Sequence, residues 1–101
     1  MLYSYVTIKK TMIERLGFTG VKALITLYEK NKPLYIRELL KISKISPSVI
    51  YRVLATLLEF KLITIEYKLN RRYIALTEDG KKVAFHIIEA EKIISKNLKN
   101  V

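Results

Sequence analysis

Cysteine, tryptophan and glutamine are absent from these 101 residues, glycine occurs three times and proline twice. Without cysteine there can be neither disulfides nor thiolate metal sites. The single histidine, His86, has no cluster of carboxylates beside it in sequence. It cannot assemble a metal centre or a conventional triad, and reads as a surface or packing residue. Gly17, Gly20 and Gly80 are scattered, and none precedes a lysine-serine or lysine-threonine pair, so there is no phosphate-binding loop. No apolar run approaches the ~20 residues needed to cross a bilayer. The opening MLYSYVTIKK lacks the basic-then-apolar order of a signal peptide. These absences point to a cytoplasmic protein that is not an enzyme and carries no cofactor or metal. Acidic residues are also scarce, 9 Asp+Glu against 19 Lys+Arg.

What is present is a core-forming chain with a strong positive charge. Half the residues are apolar, which argues against a disordered basic tail, and the formal net charge is +10. The length suits one domain, residues 1–101, with a single hydrophobic core. The charge is concentrated in the middle. Between Lys30 and Arg52 stand six basic residues (Lys30, Lys32, Arg37, Lys41, Lys44 and Arg52) and one acidic, Glu38. Between Val83 and Val101 the balance is three lysines to two glutamates. A polyanionic partner follows from that distribution.

Hydrophobic periodicity orders the chain into mainly helical elements followed by a small β-hairpin, an α+β class. Residues 3–15 suit a strand (Tyr3 and Tyr5 alternating with Ser4) or one helical face (Val6, Ile8, Met12, Ile13, Leu16), and the helix is preferred. Gly17 ends it. Thr19 is a candidate cap for a helix over Gly20 to Lys30, with Val21, Leu24, Ile25, Leu27 and Tyr28 at helical spacing. Asn31-Lys32-Pro33 stops that helix. A short helix from Ile36 to Ser43 turns Ile36, Leu39 and Leu40 inward, and Lys44-Ile45 makes a tight connection. Ser46-Pro47 then opens the next helix with a hydroxyl cap and a proline at its first position. Its core stripe is Ile50, Val53, Leu54, Leu57 and Leu58, leaving Ser48, Val49, Tyr51, Arg52, Ala55 and Thr56 outward.

After Phe60-Lys61-Leu62 the period changes to two. Ile63, Ile65 and Tyr67 share one face of a strand, Thr64, Glu66 and Lys68 the other, and Tyr73 to Thr77 returns. The connection Leu69-Asn70-Arg71-Arg72 puts two adjacent guanidiniums at a hairpin tip. Thr77 caps the last helix, with Glu78 and Asp79 in the first turn, where the helix dipole favours carboxylates. Val83, Ile87, Ala90, Ile94, Leu98 and Val101 then form a near-heptad seam over 78–101, which suits pairing with a second copy. Tyr28, Tyr67 and Tyr73 are expected to face the core, leaving Tyr51 and Tyr35 freer.

The order of elements over residues 20–82 resembles the winged helix-turn-helix transcription regulators of the MarR and PadR type. Ile36-Arg37-Glu38-Leu39-Leu40 is similar to the first helix of their reading motif, and Ser46-Pro47-Ser48-Val49-Ile50-Tyr51-Arg52 to the start of their recognition helix. Leu76-Thr77-Glu78-Asp79-Gly80 is similar to the phrase after their wing. The resemblance implies a homodimer, joined through terminal helices, that reads palindromic double-stranded DNA. Two departures stand out. Lys61 occupies the place where the family usually has glycine after the recognition helix, and the short chain leaves little volume for a small-molecule effector.

The expected interface follows from chemistry. Arg52 can pair bidentately with guanine, and Tyr51, Ser46, Ser48 and Thr56 offer hydroxyls to phosphates or base edges. Arg37, Lys41, Lys44 and Lys68 are phosphate contacts, since lysine acts as a point charge. Asn70, Arg71 and Arg72 lie on the wing, against the minor groove or flanking phosphates. The expected function is a dimeric, sequence-specific repressor. The alternatives are an architectural or plasmid-partition protein that coats DNA, and a winged-helix module that docks another protein.

Overall fold

The computed structural model describes residues 11–99. Its elements are α1 (Met12–Lys30), β1 (Leu34–Tyr35), α2 (Ile36–Ser43), α3 (Pro47–Glu59), β2 (Ile63–Lys68), β3 (Arg71–Leu76) and α4 (Glu78–Lys99). The three strands form one antiparallel sheet in the order β1-β3-β2. The expected hairpin thus gains a third, very short strand just after Pro33, pairing Leu34 with Ile74 and Tyr35 with Tyr73.

Each helix starts where local chemistry satisfies its free N–H groups. Thr11 and Glu14 form a reciprocal capping box on α1. Glu14 N donates to Thr11 Oγ1 at 3.2 Å, and Thr11 N donates to Glu14 Oε1 at 2.9 Å. The expected helix over 3–15 therefore begins at Met12 within the described residues, and positions 1–10 lie outside them. Gly17 does interrupt the helix, with φ 68° and ψ 176°, a conformation open essentially to glycine alone. Helix resumes ahead of Thr19, which is therefore an internal residue rather than a cap. At α2, Tyr35 N donates to Glu38 Oε1 at 3.2 Å.

The core lies where α1, α2 and α3 meet the sheet. Leu24, Leu34, Leu39, Ile50, Leu57 and Ile74 are its fully buried large side chains, and each such residue is worth roughly 1.5–3 kcal/mol. The α3 stripe is Ile50, Val53, Leu54 and Leu57. Leu58, expected inward, is 42% exposed. Val49, expected outward, packs half-buried against the core. Both shifts move the buried stripe toward the N-terminal half of α3.

The end of α3 accounts for Lys61. Lys61 takes φ 59°, its N–H donates to Leu58 O at 2.9 Å, and Leu62 N–H donates to Leu57 O at 3.0 Å. This is the two-bond cap usually closed by a left-handed glycine. Here a lysine adopts that conformation, and buried Leu57 and Leu62 supply the accompanying apolar contact. Nearby, Thr77 N donates to Leu62 O at 3.0 Å and Thr77 Oγ1 donates to Lys61 O at 2.8 Å. The same hydroxyl accepts from Gly80 N at 3.0 Å, so Thr77 caps α4 as expected.

The hairpin differs from expectation at its tip. The loop is two residues, Leu69 and Asn70, with φ 52° and 63°, as a type I′ turn requires. Arg71 and Arg72 belong to β3, paired with Lys68 and Tyr67. A left-handed conformation at a residue such as Leu69 costs roughly 1–2 kcal/mol, while the two-residue turn matches the twist of both strands. Tyr67 is on the predicted face but 69% exposed, because the strands run out beyond the core. Ile63 is buried, Ile65 half-buried and Tyr67 free.

Gly80 supplies a stability test. A Cβ there would sit 2.0 Å from Leu62 O, a backbone atom that cannot swing away. Gly80→Ala is expected to lower stability by at least about 2 kcal/mol, read as a shift in the urea unfolding midpoint.

Candidate nucleic-acid interface

The candidate surface is built from α2, α3 and the hairpin. On α3, burying Ile50, Val53, Leu54 and Leu57 forces the opposite stripe into solvent. Ser48, Tyr51, Arg52 and Ala55 are all exposed along it, at the three- and four-residue spacing of one helical face. Ser46 caps the helix, its Oγ accepting from Ser48 N at 3.3 Å and lying 2.9 Å from Ser48 Oγ. Thr56 is half-buried and its hydroxyl donates to Arg52 O at 3.2 Å. It can still accept a hydrogen bond but is less available than its position in sequence suggests.

Arg37 and Lys41 are exposed on α2, and Lys44 is exposed in the turn that follows, at φ 63°. Ile45 N donates to buried Ser43 Oγ at 3.2 Å and tightens that turn. Lys68, Asn70, Arg71 and Arg72 are exposed on the hairpin.

Tyr67 and Arg72 pair across the hairpin. Arg72 Nε donates to Tyr67 Oη at 2.6 Å, and the guanidinium lies 5.5 Å from the ring centroid. This bond, then the field of Tyr67 and, more weakly, that of Tyr51, raises the Arg72 pKa above its ordinary value. Arg72 is held against Tyr67 on the exposed part of the hairpin. Ser48, Tyr51 and Arg52 on α3 and Arg72 on the hairpin are all exposed.

Arg71 goes the other way. Strand alternation puts it with Tyr73 on the opposite sheet face, where its guanidinium lies 4.4 Å above the Tyr35 ring. Tyr35 meets Tyr73 edge-to-face at 6.0 Å and is half-buried, so it is not one of the free tyrosines. The expected pair of tip guanidiniums is therefore two arginines on opposite faces. Register explains the difference: a two-residue loop at 69–70 fixes 68 opposite 71 and 67 opposite 72. The sequence offered that signal in Asn70, which tolerates positive φ.

Charge on this surface is left uncompensated. The three ion pairs among the described residues join Arg15 to Glu59, Lys81 to Glu78 and Lys92 to Glu89. None involves Arg37, Lys41, Lys44, Arg52, Lys68, Arg71 or Arg72. Sequence reasoning missed Arg15. Its Nη2 lies 3.0 Å from both Glu59 carboxylate oxygens, and its guanidinium lies 4.8 Å from the Phe60 centroid. These contacts bind the first turn of α1 to the last turn of α3, and a salt bridge spanning 44 residues leaves no local pattern.

Elsewhere, Tyr28, Glu29, Glu78, Lys82 and His86 line an open groove between the end of α1 and the start of α4. None of the candidate contact residues borders it. His86 is exposed and meets Phe85 edge-to-face at 5.5 Å. No cluster of metal-binding side chains occurs among the described residues, and no helix there is long and apolar enough to cross a membrane.

MepR, a transcription regulator of the Staphylococcus aureus multidrug efflux pump MepA, has a similar structure over 97% of this chain and 82% of its own. The TM-score is 0.74 and the identity 20%. A MarR family transcriptional regulator from Silicibacter pomeroyi matches 79% of this chain and 57% of its own, with a TM-score of 0.67 and 22% identity. Sso10a-2, a DNA-binding protein from Sulfolobus solfataricus, matches 79% of this chain and 84% of its own, with the same TM-score of 0.67 and identity of 22%. The fold is a winged helix. No protein-family model and no curated protein matches the sequence. In winged-helix terms α2 and α3 are the helix-turn-helix, α3 the recognition helix, and the β2–β3 hairpin the wing.

The cap of the recognition helix is testable on its own. Ser46→Ala is expected to cost about 1 kcal/mol of stability, measured by thermal or chemical unfolding.

Proposed function

We propose that this winged helix is a dimeric, non-enzymatic, sequence-specific binder of double-stranded DNA that acts as a transcriptional regulator, most simply a repressor. The observation that carries the reading is the set of exposed cations on α2, α3 and the hairpin (Arg37, Lys41, Lys44, Arg52, Lys68 and Arg72), none of which forms an ion pair among the described residues. A helix of this width fits the major groove, where Arg52 can read guanine and Ser48 and Tyr51 can meet neighbouring edges or phosphates. Arg37, Lys41, Lys44 and Lys68 supply backbone contacts, and the wing carries Arg72 toward the adjacent groove. The transcription regulators and the DNA-binding protein described above lend the same direction to the reading. Duplex DNA as the partner places the protein with the nucleoid.

Pairing is assigned to the far half of α4. Val83 and Ile87 pack against the domain's own core, whereas Ala90, Ile94 and Leu98 are exposed together with Ile93. Val101 lies outside the described residues. Four exposed positions on a helix of 22 residues form a seam that a second copy can cover. Residues 78–101 thus serve as a dimerisation helix within a single domain.

Two measurements test these assignments. For DNA, binding to a palindrome enriched from a random duplex library should exceed binding to unrelated duplex by ~10³ or more. Arg52→Ala should cost about 1–3 kcal/mol at one base-pair position, and Lys41→Ala should flatten the salt dependence by about one unit of slope. Equal affinity for every duplex would transfer the protein to the DNA-coating class, and unchanged affinity in both Arg52→Ala and Arg72→Ala would favour a protein-docking role. For assembly, sedimentation should give the mass of two chains for the wild type and of one for Ile94→Asp, with weakened palindrome binding.

A further inference from the structure

The wing ends in an apolar residue that its own backbone disfavours. Leu69 is 89% exposed and holds φ 52° in a two-residue turn where asparagine, aspartate or glycine fits with less strain. A single exposed leucine is ordinary on a protein surface. One held at positive φ at the outermost point of a hairpin, with Lys68 and Arg71 paired directly beneath it, is not explained by folding. The cations exclude an apolar protein groove as its destination and drive the tip toward a polyanion, while the leucine needs an apolar slot within that polyanion. Stacked base pairs offer one.

We infer that Leu69 is a wedge that enters the minor groove of duplex DNA and partly unstacks one base step, bending the duplex toward the recognition helix. The inference rests on the duplex-binding reading above and adds to it a deformation step. Arg72, bonded to Tyr67 through Nε alone, keeps its remaining guanidinium donors for one groove wall, and Lys68 and Arg71, paired on the other face of the hairpin, meet the phosphates of the opposite wall. Flexible pyrimidine–purine steps unstack most readily, so the wedge would favour them without any hydrogen bond to a base. One leucine buries too little area to hold a bilayer, which makes duplex the better fit than an anionic membrane.

The test uses the full chain and a duplex enriched from a random library, carrying 2-aminopurine at a pyrimidine–purine step under the wing and end labels for energy transfer. Wild type should raise the 2-aminopurine fluorescence and shorten the end-to-end distance. Leu69→Asn, which the turn accommodates without strain, should remain folded, abolish both signals and weaken binding by about tenfold, while Leu69→Met should retain both. Tight binding by wild type with neither signal would overturn the wedge while leaving duplex recognition standing. Absence of any duplex binding would remove both. Leu69-dependent binding to anionic phosphatidylserine vesicles, with duplex binding unchanged in Leu69→Asn, would also overturn it.

Discussion

Three elements of the fold converge on a few backbone atoms at Lys61 and Leu62, and their relative geometry depends on that knot. The left-handed cap ends the recognition helix, Leu62 O receives the amide that closes the wing, and Lys61 O receives the Thr77 hydroxyl that starts α4. Gly80 lets the first turn of α4 lie directly on Leu62 O. Recognition helix, wing and terminal helix are thereby fixed to one another through backbone and a single hydroxyl, independently of how the apolar core repacks. The relative aim of helix and wing is the property that an interface on DNA needs most.

The core holds a complementary constraint. A helix can present one face only by committing the other, and α3 commits Ile50, Val53, Leu54 and Leu57. The exposed Ser48-Tyr51-Arg52 stripe is a consequence of that commitment. The same logic governs α4, whose first half covers the body with Val83, Ala84 and Ile87 and whose second half has no body left to cover.

Most of this architecture is legible in the sequence wherever local chemistry controls it. The Ser46-Pro47 start, the Ile36–Ser43 helix and the Thr77 cap all follow from capping and periodicity. The Thr11-Met12-Ile13-Glu14 box that caps α1 was equally readable, as S/T-x-x-E before an apolar run. Pairing across distance was not legible. The third strand at Leu34 and Tyr35 is too short to leave a period, and the Arg15–Glu59 bridge has no local trace. Among the candidate contact residues, residue types pointed to exposed cations and hydroxyls, while register decided which way the two arginines face. A four-residue loop would have put Arg71 and Arg72 side by side, whereas the two-residue loop sends Arg71 to Tyr35 and Arg72 to Tyr67.

The Arg15 bracket has a mechanical side. The stub of α1 ahead of the Gly17 corner is fastened to Glu59 and stacked on Phe60, the residues where the recognition helix ends. A tilt of that stub must either break a two-pronged ion pair or drag the final turn of α3 with it. The first turn of α1 and the last turn of α3 are therefore coupled levers, with the glycine bend as the pivot between that turn and the rest of α1.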